Sequence, residues 1–440
     1  MTDYTLPLDQ LPDPLPIEPL RKPFDVTITP PGSKSMTNRA YVLAALANGE
    51  SRIVGPLRGD DCDNLLNALC TLGAEARWED EDVLIRGVAG RFPRGGSVNL
   101  GDGGAPTRFM IACACLAEEP VVVDGSPRMR QRPVAEGVEM LRQLGANIEY
   151  VEEDGRLPVR VTPELLGGSE LEVGQTQSSQ FISAIVLIAP WLSFPLKLWF
   201  GDSVTSEPYV EMTKYVIKRW GVDTVESVHA DGRRSVFIYT RPVAGRTFEV
   251  EADASSSTYW LSAAALMPQS RVQIEGLPPS SPQGDLAFSR LLEELGALRQ
   301  HAGYTGVGVR YGKHLRGSRH DLADMPDAAV TLAAAMAYAD SGSIITGLGT
   351  LRIKESDRLA ALADELRKLG CDVGTTDDAL GIDPSTRHDE PVVIETYNDH
   401  RMAMAFAVLG LVRPNISISN PKCVTKSYPG FWRDFAKLYQ

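Results

Sequence analysis

Six short stretches of the sequence share a chemistry. Each sets polar or charged residues just ahead of a run of small apolar ones. They are Ser33-Lys34-Ser35-Met36-Thr37-Asn38-Arg39, Gly104-Ala105-Pro106-Thr107-Arg108, Gln177-Ser178-Ser179-Gln180, Asp253-Ala254-Ser255-Ser256, Pro326-Asp327-Ala328-Ala329 and Asn398-Asp399-His400-Arg401. A buried helix that begins this way turns its first N–H groups and the positive end of its dipole toward an anion. Lys34, Arg39, Arg108 and Arg401 add full charges. Three loops add more: 126–133 with Arg128, Arg130 and Arg132, 352–358 with Arg352, Lys354 and Arg358, and 423–427 with Lys426. Arginine gives planar, bidentate recognition of carboxylate or phosphate, and lysine a compact charge. Together they suit a small, multiply anionic ligand. Taken singly, each has a plainer reading. Asp327 is a favoured helix N-cap, Lys34 sits in a turn, and Arg358 and Arg401 have ready ion-pair partners in Asp357 and Asp399.

The elements that must position these residues recur. Each apolar helix is followed by a short strand ending at position 55, 125, 201, 276, 347 or 420, a period of roughly 70–76 residues. Amphipathic helices at 63–72, 135–144, 209–220, 286–295 and 357–369 each run into a glycine suited to the C-cap. Strands with turns such as Asp154-Gly155 and Asp231-Gly232 come next. A sixth amphipathic helix, 431–439, has no strands after it, and residues 24–29, which alternate like a strand, are expected to close that last unit. The apolar helices require burial nearly all round, while the amphipathic ones cover sheets, which makes an α/β (α+β) fold. Six units are too many for one core. The expected division is 33–250 against 1–32 plus 251–440, with helix starts converging on a cleft between two domains. Residues 1–22, rich in proline, are expected to be extended or disordered.

A net charge of −13 argues against a nucleic-acid partner, which calls for a basic stripe. The six cysteines form no CxxC pair and no zinc spacing, as expected for reduced thiols in the cytoplasm. No apolar run approaches the roughly 20 residues that span a bilayer, and no membrane association is expected. Asp60, Asp61 and Asp63 imitate a magnesium cluster but precede a helix whose dipole they suit. His400 lacks a second histidine at ligand spacing. The segment around Lys34 is not a phosphate-binding P-loop, because the Gly-Lys-Ser order is absent.

Six motifs, in order along nearly the whole chain, resemble the 5-enolpyruvylshikimate-3-phosphate synthases. They are Pro31-Gly32-Ser33-Lys34-Ser35, Ser178-Ser179-Gln180, Pro326-Asp327-Ala328-Ala329, Lys354-Glu355-Ser356-Asp357-Arg358, Asn398-Asp399-His400-Arg401-Met402-Ala403-Met404 and the Lys426 loop. The resemblance implies a two-domain enolpyruvyl transferase fold, each domain three βαβαββ units with buried parallel helices and outer sheets. It implies transfer of the carboxyvinyl group of phosphoenolpyruvate to the 5-hydroxyl of shikimate 3-phosphate, by a monomer without metal or organic cofactor. Carried over by motif, Lys34, Ser35, Arg39, Ser178, Ser179, Gln180, Ser206, Tyr209, Asp327, Thr350 and Lys354 resemble contacts to shikimate 3-phosphate. Lys34, Gly104, Arg128, Gln180, Arg358, Arg401 and Lys426 resemble the phosphoenolpyruvate side. Asp327 is similar to the family's proton acceptor and Glu355 to its proton-transfer partner, with Lys34 a third catalytic candidate.

Two positions depart from the family pattern. Asp102 stands where an amide is usual, followed by Pro106 at a helix start that tolerates proline, and Thr350 stands where many members carry asparagine. The sibling transferase acting on UDP-N-acetylglucosamine usually bears a reactive cysteine in the loop equivalent to 101–109, and none is present. An RNA 3′-terminal phosphate cyclase would need a nucleotidylated histidine. Asp327 and Glu355 speak against a non-catalytic phosphometabolite-binding protein.

Overall fold

Six helices carry almost no polar face, and the architecture is arranged to bury them. They are Lys34–Leu46, Gly104–Ala114, Ser179–Ile188, Ala254–Leu266, Ala328–Met336 and His400–Gly410. The computed structural model describes residues 2–174, 176–201, 203–301, 303 and 306–440. In it nearly every side chain of these helices is buried. Alanine-rich runs such as 263–265 and 333–335 favour helix and let neighbours approach closely. A second set is amphipathic: Asp60–Thr71, Ala135–Gln143, Glu207–Arg219, Phe288–Leu295, Arg358–Lys368 and Phe431–Ala436. The glycines after the first five, Gly73, Gly145, Gly221, Gly296 and Gly370, all take positive φ, the C-cap conformation a Cβ would oppose.

The chain divides into two compact units, Gly32–Val250 and Met1–Pro31 with Glu251–Gln440. Each holds one hydrophobic core. In Gly32–Val250 the plan is clearest in the middle repeat. Strand Gly96–Asn99 leads through a buried helix into the parallel strand Val121–Asp124, and an amphipathic helix then leads to the antiparallel pair Asn147–Tyr150 and Val159–Thr162. Strands Glu170–Val173, Leu196–Phe200, Thr224–Val228 and Arg234–Ile238 repeat it. In the first repeat the leading strand comes from the other end of the unit: Thr247–Glu249 lies parallel to Asn48–Val54, with Phe248 opposite Ile53.

The other unit corrects two sequence expectations. Strand Asp25–Ile28 does not close the last repeat. It lies parallel to Arg271–Glu275, with Ile28 opposite Ile274, and is the leading strand of the fourth. The reason is the chain crossing: Pro31 O accepts from Asp253 N at 2.9 Å, so this strand sits where the chain returns. The last sheet is completed instead by Leu15–Ile17, antiparallel to Ile416–Ile418. The proline-rich segment is therefore a run of turns ending in one short strand, and it is anchored. Tyr4, Leu11, Leu15 and Ile17 are buried, and Tyr4 packs against Trp432, Phe435 and Tyr439. Pro16, opposite Ser417, occupies an edge strand, where proline is tolerated.

Candidate active site

In the unit containing residues 251–440, the buried helices begin beside one another. Asp399 caps His400–Gly410, accepting from Arg401 N at 3.0 Å. Its buried carboxylate also grips Arg358 at two points, Nε at 2.7 Å and Nη2 at 3.2 Å. Arg358, whose side chain is 1% exposed, reaches Asp327 Oδ1 at 3.0 Å and Glu355 Oε2 at 2.7 Å. Arg401 Nη2 holds the other Asp327 oxygen at 2.7 Å, and Lys426 Nζ holds the other Glu355 oxygen at 3.3 Å. Lys354 Nζ stands 3.9 Å from Asp327. Burial opposes the charged guanidinium of Arg358, but the Asp399, Glu355 and Asp327 carboxylates outweigh it and hold its pKa above the usual arginine value.

The two carboxylates linked by resemblance to proton transfer thus share one arginine, and each has a further cation of its own. The capping reading of Asp327 does not account for it. Asp327 is at the N-cap of Ala328–Met336 yet makes no side-chain cap bond; its oxygens go to arginines. Arg358 does pair with Asp399, whereas Asp357 caps its own helix and meets Arg352. Thr350 Oγ1 is buried without a hydrogen-bond partner, on the turn Gly349–Ile353.

In Gly32–Val250 a second set gathers at helix starts. Lys34 opens Lys34–Leu46, and its Nζ lies 3.2 Å from Asp61 Oδ2. Arg39 is buried and donates to Ser35 O at 2.8 Å, Tyr209 O at 3.0 Å, Ser183 Oγ at 3.2 Å and Thr213 Oγ1 at 2.7 Å. These partners are neutral, and burial lowers its pKa to about 10. It joins the turn of Ser35 to that of Tyr209. Ser178 caps Ser179–Ile188, accepting from Gln180 N at 3.3 Å, and Gln180 Oε1 accepts from Arg108. Ser206 takes the left-handed conformation, φ 48°, just before Glu207–Arg219. At Gly104 an added Cβ would stand 2.5 Å from Arg132 Nη2, so the missing side chain leaves space for that buried guanidinium against the helix start. Asp102 accepts from Ser126 Oγ, and Arg128 reaches Gln131 at 3.2 Å.

Several participants escaped sequence reasoning. Asp61, suited to its helix dipole, also holds Lys34. Arg132 is one of three arginines in its loop, and only its place over Gly104 sets it apart. Asp399 was noted beside Arg401, but its grip on Arg358 joins positions 41 apart, and no local spacing announces that.

Repeated βαβαββ units whose helix starts carry such cations and carboxylates define an enolpyruvyl transferase. Two solved structures share the fold. EPSP synthase from Acinetobacter baumannii matches with a TM-score of 0.77 at 25% identity, covering 96% of this chain and 98% of that one. The enolpyruvyl transferase NikO from Streptomyces tendae matches at 0.73 and 17% identity, over 96% of both chains, a likeness of fold alone. A family model, EPSP synthase (3-phosphoshikimate 1-carboxyvinyltransferase), matches residues 20–435. Relatives named 3-phosphoshikimate 1-carboxyvinyltransferase include one from Methanoculleus marisnigri, 38% identical over 93% of this chain and 96% of the relative. Another, from Methanosphaerula palustris, is 39% identical over 94% and 97%. The chain belongs to the EPSP synthase family, a family of enzymes. Among the described residues no helix is long and apolar enough to cross a membrane.

Proposed function

We infer that the protein transfers the carboxyvinyl group of phosphoenolpyruvate to the 5-hydroxyl of shikimate 3-phosphate, releasing phosphate, as a step of the shikimate pathway. The observation that carries this reading is Arg358 bridging Asp327 and Glu355, each carboxylate backed by its own cation. The reaction needs a base for the hydroxyl proton as that oxygen bonds to the enol carbon. It needs an acid to protonate the methylene carbon, and cations for a carboxylate and two phosphates. In this reading Asp327 takes the hydroxyl proton. Glu355, held between Arg358 and Lys426, exchanges the proton of the methylene carbon, first giving it and then removing one as phosphate leaves.

Lys34, Arg128, Arg401 and Lys426 meet phosphoenolpyruvate, and Gly104, whose helix start lies under the Arg132 guanidinium, belongs to the same set. Ser35, Ser178, Ser179, Ser206 and Tyr209 meet the sugar phosphate, and Thr350, with its buried unpartnered hydroxyl, is a further contact. The enzyme acts as a cytoplasmic monomer, in keeping with free cysteines of which Cys113 and Cys115 are deeply buried, with thiol pKa values pushed up by that burial. Purified protein is expected to release phosphate from phosphoenolpyruvate only when shikimate 3-phosphate is added. Release with UDP-N-acetylglucosamine instead, or with neither acceptor, overturns the reading.

A further inference from the structure

Helix His400–Gly410 is entered through a turn that its sequence only half favours. Asp399 N donates to Thr396 O at 2.8 Å, and both residues between them are left-handed, Tyr397 at φ 54° and Asn398 at φ 55°. A turn with two positive φ values suits asparagine and glycine. For a bulky residue such as Tyr397 that conformation is an outlier. Asn398 is tied in addition by Asn420, whose Nδ2 donates to its Oδ1 at 3.0 Å. Tyr397 is 38% exposed, so packing alone gives its backbone little reason to stay there.

What holds it is a carboxylate on another helix. Tyr397 Oη donates to Glu365 Oε1 at 2.9 Å, and Glu395 N donates to Glu365 Oε2 at 3.0 Å. Glu365 is fully buried, and its charge is met by Lys368 Nζ, 2.8 Å from each oxygen. Glu365 and Arg358 belong to the same helix, Arg358–Lys368, two turns apart and therefore on one face, about 10 Å along the axis. That face clamps residues 395–399 at both ends. Its first turn takes Asp399 through Arg358 Nε at 2.7 Å, and its last takes Tyr397 and Glu395 through Glu365. From Asp399 the contacts run directly into the candidate site. Asp399 caps the helix of Arg401, and Arg358 and Arg401 both hold Asp327, at 3.0 and 2.7 Å.

We propose that Glu365 and Tyr397 are positioning residues of the active site: the hydrogen bond between them keeps Tyr397 left-handed, and the turn so held sets Asp399 where it orients Arg358 and begins the helix of Arg401. The proposal rests on assigning Arg358 and Arg401 to phosphoenolpyruvate. Neither Glu365 nor Tyr397 touches substrate in it.

Amide hydrogen exchange in the free, full-length protein reads the turn without any substrate. Tyr397→Phe removes one hydroxyl and is expected to speed exchange at Asp399 N and Arg401 N about tenfold or more, the scale of a hydrogen bond to a charged group, with helix Ala328–Met336 unchanged. Tyr397→Ala loses the bond and keeps the strain, so exchange there is expected to be at least as fast. Tyr397→Gly is free to be left-handed and is expected to recover protection relative to alanine. A role in packing alone ranks glycine worst. In steady state, Tyr397→Phe and Tyr397→Ala are expected to lose about tenfold in kcat/KM for phosphoenolpyruvate, more than for shikimate 3-phosphate, with Tyr397→Gly again above alanine. Glu365→Gln has one acceptor oxygen in place of two, and Tyr397→Phe is expected to cost less on that background than alone. Unchanged exchange in Tyr397→Phe, or alanine and glycine exchanging alike, overturns the proposal whatever the substrate. Faster exchange with unchanged kinetics, or full additivity with Glu365→Gln, overturns it as well. An unsubstituted protein inactive on phosphoenolpyruvate would refute the assigned substrate instead, and the exchange results would then decide the clamp by themselves. Should Glu365→Gln fail to fold, the three Tyr397 variants still decide.

Discussion

Removing Arg358 would take a shared cation from three carboxylates at once. Asp399 is fully buried, and Asp327 and Glu355 are mostly so. Breaking a buried pair by deleting one partner typically destabilises by about 3–5 kcal/mol, because the remaining charge is left uncompensated. Arg358→Met, similar in reach but neutral, is expected to lose at least that much in urea unfolding. Asp327→Asn keeps the shape and removes the basicity, so its expected signature is the reverse: a small change in stability and a kcat lower by roughly 10²–10⁴. Equal stability losses in the two variants would mean that Asp327 is a structural partner and no acceptor. The residue types at these positions were legible in the sequence, since an aspartate before an alanine-rich helix and a basic loop both stand out. The pairing was not. A carboxylate chooses among nearby arginines by three-dimensional proximity, and Asp399 to Arg358 spans a helix, three strands and the loops between them.

At the scale of elements, the helices were the readable part and the strands only partly so. A helix buried on all sides announces itself by its run of small apolar residues, and its end by glycine. A four-residue strand carries only alternation, which says that it pairs but not with what. Residues 24–29 alternate like a strand, and nothing in the alternation points to their partner, Arg271–Glu275. Residues 15–17 carry no strand signal among their prolines, yet an edge strand tolerates proline. The burial of Tyr4, Leu11, Leu15 and Ile17 gives that segment a stabilising role. Full burial of such side chains is worth about 1.5–3 kcal/mol each before the entropy of ordering the chain is subtracted. Deleting residues 1–17 is therefore expected to lower the melting temperature by about 5 °C or more, through the unit that contains Trp432 and Phe435. An unchanged melting temperature would show that the strand contributes only a surface cover.

For the whole molecule, the six-fold repeat was visible as a period, because each repeat restates one buried helix and one strand end. What a period does not carry is the use made of the repeats. The proposed reaction joins one oxygen of the sugar to one carbon of phosphoenolpyruvate, which requires reacting atoms about 3–3.5 Å apart. The residues assigned to the two substrates fall in both units: Lys34, Ser178 and Arg128 in one, Asp327, Arg401 and Lys426 in the other. Lys34→Ala and Arg401→Ala are thus each expected to raise KM for phosphoenolpyruvate about tenfold or more, roughly 1.4 kcal/mol of binding, because each removes a cation assigned to that substrate. The effect should reach phosphoenolpyruvate more than the sugar phosphate, which steady-state kinetics with each substrate varied in turn would read. A KM for phosphoenolpyruvate unchanged in either variant would remove that residue from the set that holds the substrate.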